Sequence, residues 1–453
     1  MMHVILSEGL EDRAYVEQHT LGVEELRARV CQWTPRRASE LTGLAAEDIV
    51  GLAREYATTH PAAIRLNYGV QRSERGAMSV RTIGLLPALT GAWKYPGGGV
   101  QLSTSAAFQL NKTGLERPDL QLASPLKREA RILNMSELGR ILTEVDDPPV
   151  QALVVYNSNP AAIAPDQHAV RRGLKRDDLF TVVLEQFQTD TADFADIVLP
   201  VTTFLEHTDL YFAYGHYHLQ LARAALEAPG ETLPNTEIFR RLASIMRFDE
   251  PCLADSDDAM IRTLLDTRHP FIEGITIERL DREHSVRLQI GDPFLPFANG
   301  GFGTPSGKCE FHAETLDYQP PIESRLGNRD LNTRYPLELI SPKNDDSMNS
   351  TFGVRPEVDC QTASLKLHPA DASPRGISTG DAVRVFNDRG QCVLRAEVSD
   401  TIAGGVVSAP SVRWPKLAPD GNSVNMLTSQ RLTDKGGGPT FYSCLVNVEK
   451  IGD

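Results

Sequence analysis

The feature that most constrains this chain is a set of short apolar segments, each closed by a polar turn and separated by a helical stretch or a loop. Leu153-Val154-Val155-Tyr156 ends at Asn157-Ser158-Asn159-Pro160, Phe180 to Leu184 runs into Glu185-Gln186-Phe187-Gln188-Thr189-Asp190, and Asp196 to Leu199 stops at Pro200. Uninterrupted apolar runs of this kind belong to strands buried on both faces, which happens when helices cover a parallel sheet on both sides. A helix starting near Asp166 supplies the crossover that a parallel pair needs. The expected class is therefore α/β, with a doubly wound, mostly parallel sheet.

Upstream, Ala45 to Ala57 carries apolar residues at helical spacing, Pro61 breaks that helix, and Ala63 to Asn67 reads as a strand. The chain then turns through Tyr68-Gly69-Val70-Gln71-Arg72 into a helix from about Ala77 to Leu89. The Tyr95-Pro96-Gly97-Gly98-Gly99 loop and the polar stretch to about Leu133 form an irregular connection. Past about residue 250 the periodicity weakens, and Asp281 to Pro320 reads as loops and short strands. From Tyr335 the pattern changes again. Tyr335 to Ile340, Ser364 to Leu367, Ala382 to Phe386, Gln391 to Val398 and Gly405 to Ala409 are short β-like runs separated by Gly380-Asp381 and Asn387-Asp388-Arg389-Gly390 turns, a spacing that predicts a closed β-barrel.

Composition narrows the partners. With 453 residues, 41% of them hydrophobic, the chain can bury a sizeable core in two or three domains. Forty-six Lys and Arg against 60 Asp and Glu give a net charge of −14, which leaves no broad basic face for nucleic acid. No apolar run approaches the roughly 18 residues of a membrane span. Six cysteines are scattered without a C-x-x-C pair, so neither a zinc ribbon nor an iron–sulfur loop is encoded, and most read as core thiols of a reducing compartment.

In an open α/β sheet, ligands sit beyond the carboxyl ends of the strands, where loops and helix N-termini face one crevice. Gly69, Gln71 and Arg72 follow one strand; Asn157, Ser158 and Asn159 follow the next; Glu185, Gln186, Thr189 and Asp190 follow a third. Small polar groups and backbone amides suit a pyrophosphate, and a carboxylate such as Glu185 suits ribose hydroxyls or the edge of guanine. Each cluster alone is equally an ordinary turn. His216-Tyr217-His218 places two imidazoles on one strand face, but no third ligand accompanies them, so a structural role is favoured over a metal pair. His207 is assigned no general-base role.

Order and spacing single out one family. Val80-Arg81-Thr82-Ile83, then Ala88-Leu89-Thr90-Gly91-Ala92-Trp93, then Pro96-Gly97-Gly98-Gly99 resembles the V-R-x-I through L-T-G-x-W to P-G-G-G signature of the molybdopterin oxidoreductases, the dimethyl sulfoxide reductase and formate dehydrogenase group. Asn157 to Pro160 resembles that family's N-x-N-P loop, and Thr189-Asp190-Thr191-Ala192-Asp193-Phe194-Ala195-Asp196-Ile197-Val198-Leu199-Pro200 its T-x-T-A-x-x-A-D-x-V-L-P stretch. Leu367 to Ala372, Gly376 to Val385, Asn387 to Gly390 and the tail Asn425-Met426-Leu427-Thr428, Asp434, Pro439, Tyr442 are similar to the family's C-terminal dinucleotide-binding barrel.

The resemblance implies an organisation and a cofactor. It divides the chain into a remnant of a Rossmann-like dinucleotide-binding domain at 1–105, a second α/β dinucleotide-binding domain at 106–330 and a double-psi-like barrel at 331–453. It implies molybdenum or tungsten held between two molybdopterin guanine dinucleotides, and it adds Asn235, Lys343, Ser347, Asn349, Asn425 and Tyr442 to the candidate cofactor contacts. The family's metal ligand (Cys, selenocysteine, Ser or Asp) and any iron–sulfur motif lie in an N-terminal region that this sequence does not match. Cys31 fits no ligand position and reads as a structural thiol, so no catalytic residue is assigned.

The expectation is accordingly the cofactor-binding C-terminal part of an oxidoreductase. It would move electrons between a small substrate and a redox partner, and would be inactive without an N-terminal segment or separate subunit. Truncation, an excised fragment and a split enzyme all fit that reading, as does a cytoplasmic location unless a targeting peptide lies on the absent region. Val100 to Ser105 lacks the Arg that formate dehydrogenases of the family carry after the Gly-rich turn, which disfavours formate. The alternative is a non-catalytic scaffold of the same fold, as in complex-I-type large subunits.

Overall fold

The three apolar segments pair side by side. The computed structural model describes residues 1–312, 318–343 and 346–452. In it β1 (Ala152–Tyr156), β2 (Phe180–Glu185) and β3 (Ile197–Pro200) form a parallel sheet in that order. The β1–β2 crossover is made by the helix α1, Gln167–Leu174, where Asp166 sits as N-cap and accepts a hydrogen bond from the Ala169 N–H at 3.3 Å. This helix and Leu138–Glu144 lie back to back, because Gly139 and Gly173 remove the side chains that would collide. A Cβ on Gly139 would lie 2.6 Å from that of Ala169, and one on Gly173 would lie 2.3 Å from that of Leu142. Together they bury Leu142, Val170 and Leu174 against Leu153 on one face of the sheet. On the other face the helix α2 (Asn235–Ile245) sets Ile238 and Leu242 against Leu184, Val182 and Leu199.

The first hundred residues build a separate core. Ile5, Tyr15, Leu26, Leu86 and Leu89 pack with Phe311 and Cys309, and Thr20–Leu21 pairs in parallel with Cys309–Glu310. The Tyr15 hydroxyl donates to the Phe297 carbonyl at 2.5 Å, so residues 297–311 return to this core after a long excursion. Inside that excursion the antiparallel strands Asp209–Tyr211, His218–Ala222 and Ser285–Arg287 pack with the helices Asp257–Leu265 and Ile277–Glu283 around Leu219, Ile261 and Leu280. Part of the stretch expected to be loops, 313–317, lies outside the described residues.

The last region is a closed barrel. Its strands β4 (Leu337–Ile340), β5 (Ser364–Leu367), β6 (Ala382–Asn387), β7 (Gly390–Val398), β8 (Val406–Ser408) and β9 (Leu445–Lys450) close in the order β4-β8-β5-β7-β6-β9. Alternation along each strand sends Leu365, Leu367, Val383, Val385, Cys392, Leu394 and Val446 inward. Five of the six strands fall on the runs expected from sequence; the tail strand β9 was not anticipated.

Two expectations need correction. All six cysteines are free, but only Cys309, Cys392 and Cys444 are buried, while Cys31 and Cys360 are exposed. Cys31 ends the short helix Val23–Val30, whose only buried residue is Leu26, so it has no core to enter. His216 and His218 do not share a strand face, since the strand starts at His218 and the His216 Nδ1 accepts from the His218 backbone N–H at 3.2 Å. Among the described residues no helix is long and apolar enough to cross a membrane.

Candidate functional site

The loop at residues 68–72 leads into a helix, Gly76–Leu89, whose amino end needs partners for its free N–H groups. They come from the far end of the chain. The Asp434 carboxylate accepts from the Ala77 and Met78 N–H groups at 3.0 and 3.2 Å, and the Asp434 N–H donates to the Glu74 carbonyl at 3.0 Å. Next to it the Tyr442 N–H donates to the Arg72 carbonyl at 2.9 Å, and the Tyr442 ring packs where a Cβ on Gly69 would stand, 3.2 Å from Cε2. The barrel tail thus holds the 68–77 turn in place.

Between this turn, the turn after β1 and the barrel mouth lies a cavity of about 750 Å³. Gln71, Arg72, Ser158, Asn349 and Asn425 all line it, as do Arg81, Ser136, Ser341 and Ser411. Lys343, on the loop that also carries Ser347 and Asn349, donates its ammonium to the Asn349 side chain. Partial burial, and then the nearby Arg72 guanidinium, lower the Lys343 pKa. Among the described residues neither Arg72 nor Lys343 is paired with a carboxylate. Two cations that repel each other near the mostly apolar cavity suit an anion of more than one charge. Arg81 extends this character. It donates to the Glu310 and His312 carbonyls at 2.8 and 3.0 Å, yet its Nε is buried without a partner, as is the Nε of Arg75.

A second group of candidates meets at the carboxyl end of the sheet. Asn157, with a left-handed φ of 53°, accepts from the Asn235 amide at 3.0 Å, while the Asn235 Oδ1 is buried without a partner. Glu185 is half-buried, so desolvation raises its carboxyl above the usual range even though it accepts from the Gln186 N–H at 2.7 Å. Gln186 in turn donates to the Thr202 carbonyl at 3.0 Å.

The remaining candidates are tied to protein groups. Asn159 Oδ1 accepts from the Thr191 N–H and hydroxyl at 3.0 and 2.7 Å, and Asp190 accepts from the Lys416 N–H at 2.8 Å and the Asn159 amide at 3.4 Å. Thr189 is buried beside them, and burial raises the Asp190 carboxyl. Asn425 lines the cavity, but its amide donates to the Ala162 and Ile163 carbonyls at 3.0 and 3.3 Å. These groups fasten the barrel to the sheet. Sequence reasoning did not assign Arg81 to the site, although it stands inside the Val80-Arg81-Thr82-Ile83 motif. Among the described residues no group of three or more His, Cys, Asp or Glu side chains is arranged to hold a metal ion.

An α/β sheet and a closed barrel thus share one cavity, mostly apolar in its lining but carrying the guanidinium groups of Arg72 and Arg81. The chain belongs to the molybdopterin oxidoreductase family, whose description "Molybdopterin oxidoreductase" matches residues 1–245 and whose "Molydopterin dinucleotide binding domain" matches 337–445. A probable oxidoreductase YoaE of Bacillus subtilis is 39% identical over 100% of this chain and 66% of its own length. Dimethyl sulfoxide reductase DmsA of Escherichia coli is 27% identical over 100% of this chain and 63% of its own. Formate dehydrogenase H of Escherichia coli is 26% identical, with 100% and 64% covered. The chain therefore spans about two thirds of the length of these relatives. Acetylene hydratase from Pelobacter acetylenicus shares the fold, with a TM-score of 0.79 at 22% identity over 99% of this chain and 69% of that one.

Proposed function

We propose that this chain is the cofactor-holding part of a molybdenum or tungsten oxidoreductase that carries two molybdopterin guanine dinucleotides and moves electrons between a small substrate and a redox partner. The observation that carries the reading is the cavity lined by Arg72 and Arg81, with Lys343 close enough to feel the Arg72 charge and neither Arg72 nor Lys343 paired with a carboxylate among the described residues. Arg72, with Lys343 nearby, would neutralise a pyrophosphate there, with Gln71, Ser158 and Asn349 as hydrogen-bonding partners and the guanidinium of Arg81 as a further cation. Asn157, Glu185 and Gln186, at the carboxyl ends of β1 and β2, and Asn235, bonded to Asn157, are polar groups suited to the sugar and base of a nucleotide.

When bound, the metal and its dithiolene sulfurs supply the redox chemistry, while the chain binds, orients and shields them. Additional polypeptide supplies the metal ligand, any iron–sulfur cluster and the substrate funnel, so the isolated chain does not turn over. The test is to purify the chain with its native partner polypeptide and measure molybdenum, tungsten and acid-released guanine nucleotide. Stoichiometric metal and nucleotide are expected, falling at least about tenfold in an Arg72→Ala, Lys343→Ala double variant, since each lost charge-assisted contact is worth roughly 1.5–3 kcal/mol. A complex devoid of both would instead identify a scaffold.

A further inference from the structure

The turn that brings Arg72 to the cavity carries a carboxylate of its own. Glu74 stands two positions after Arg72 and directly before Arg75, in a chain whose 60 acidic residues outnumber its 46 basic ones. An ion pair inside the turn is the expected outcome, because a guanidinium and a neighbouring carboxylate form charge-assisted hydrogen bonds. It does not form. Among the described residues neither Arg72 nor Arg75 is paired with a carboxylate, and the Arg75 Nε is buried without a partner. The Arg72 guanidinium lies instead 5.9 Å from the ring of Phe441, which lines the cavity beside it.

The Glu74 carboxylate is held elsewhere. Its side chain is only 10% exposed, Oε2 accepts from the Ile322 N–H at 2.9 Å, and Oε1 accepts from Arg431 Nη1 at 3.3 Å. The Glu74 N–H donates to the Ser443 hydroxyl at 3.1 Å, which fixes the backbone from which that side chain departs. Arg431 is anchored in turn, since its carbonyl accepts from the fully buried Thr440 hydroxyl at 3.0 Å. Both Glu74 and Arg431 stand outside the cavity lining. A buried carboxylate keeps its charge only where donors compensate its lost hydration. Glu74 has two such donors; without Arg431 it keeps one amide, and the nearest replacement cation along the chain is on its own turn.

We infer that Arg431 is a positioning residue of the anion site: by holding the Glu74 carboxylate against Ile322 it keeps Arg72 uncompensated and open to a phosphate-bearing ligand in the cavity. Arg431 never touches that ligand. Its effect passes through Glu74, which would otherwise compete with the ligand for the same guanidinium. The inference rests on the proposed function only in taking the ligand to be a nucleotide pyrophosphate.

The test treats the full chain with phenylglyoxal, which modifies unpaired guanidinium groups faster than ion-paired ones, and follows Arg72 by peptide mass spectrometry with and without guanosine diphosphate. Arg431→Ala should slow Arg72 modification, and weaken guanosine diphosphate, each by about tenfold, the worth of one charge-assisted contact. Adding Glu74→Gln should restore both, because the amide oxygen can still accept from the Ile322 N–H yet offers Arg72 no charge. A residue that merely held the turn in shape would leave the double variant no better than the single one. Circular dichroism checks folding, and Arg431→Met, which keeps the aliphatic stem, carries the same expectations if the alanine variant does not fold. Arg72 modification that is unchanged in a folded Arg431 variant, or not restored by Glu74→Gln, would overturn the assignment. Modification that follows the expected pattern while guanosine diphosphate fails to protect Arg72 in the unaltered chain supports the assignment and sinks the nucleotide reading. Protection by guanosine diphosphate, with modification indifferent to Arg431, does the reverse.

Discussion

Arg389 and Glu323 form a bidentate ion pair at the barrel mouth, with Nη1–Oε1 and Nη2–Oε2 distances of 2.8 and 2.6 Å and the Glu323 side chain only 4% exposed. Arg389 Nε also donates to the Leu427 carbonyl at 2.7 Å, and Glu323 accepts from the Leu445 N–H at 3.3 Å. Burial alone would lower the pKa of Arg389; the pairing with Glu323 outweighs it and raises it. One pair thus joins the segment ahead of the barrel, the β6–β7 turn and the last strand. Removing one partner by Glu323→Leu should cost about 3–5 kcal/mol, because a buried guanidinium is left without its counter-charge. Adding Arg389→Met should recover much of that loss in chemical denaturation, and a double variant no more stable than the single one would refute the pairing as the cause.

Asn425→Ala should destabilise by about 1–3 kcal/mol, since the Ala162 and Ile163 carbonyls lose their donor in a buried place. Amide exchange should quicken in 160–165 and 424–428 together, which separates loss of a fastener from a general loosening.

Asp434→Ala removes two hydrogen bonds and a negative charge from a helix N-terminus and should cost about 0.5–2 kcal/mol. Asp434→Asn should retain most of the stability, because its side-chain oxygen can still accept one of the two bonds.

Glu185→Gln should stabilise the isolated chain at neutral pH. Burial raises the Glu185 carboxyl in the fold, so ionisation opposes folding above that raised pKa and is without effect below the unfolded value of about 4.3. The variant's Tm advantage should therefore appear as pH rises through the folded pKa and vanish in acid. An advantage that persists below that unfolded value would show that packing, not charge, is responsible.

Native-state labelling with a maleimide should modify Cys31 and Cys360 fast and leave Cys309, Cys392 and Cys444 untouched until unfolding. Burial pushes the Cys309 thiol up to about 11 and the Cys444 thiol up to about 12, which removes the reactive thiolate at neutral pH. Mass spectrometry of the tryptic peptides reads both classes at once.

Strands β1 and β2 were legible because an apolar run needs no knowledge of its neighbours, but the burial of both faces expected from that run fails at β1, where Val154 and Tyr156 are about half exposed; Asp166 was legible as a helix start because capping is local. What escaped was set by distance along the chain. The return of 297–311 to the N-terminal core depends on Tyr15 and Phe297 meeting, which no periodicity records. The cavity candidates divide similarly. Arg72 and Lys343 are brought near each other by the barrel tail, while Asn159 and Asp190, identical in type to ligand-binding residues, turn to Thr191 and Lys416 instead. Residue type announces the capacity to bond; the fold decides with what.

The Asp434 contact with Ala77 and Met78 spans 357 and 356 positions of the chain. During synthesis, the turn that carries Arg72 must wait for Asp434 to leave the ribosome before its clamp arrives. Any large anion that occupies the cavity is therefore received after the barrel tail has been made rather than wrapped by the turn as it emerges.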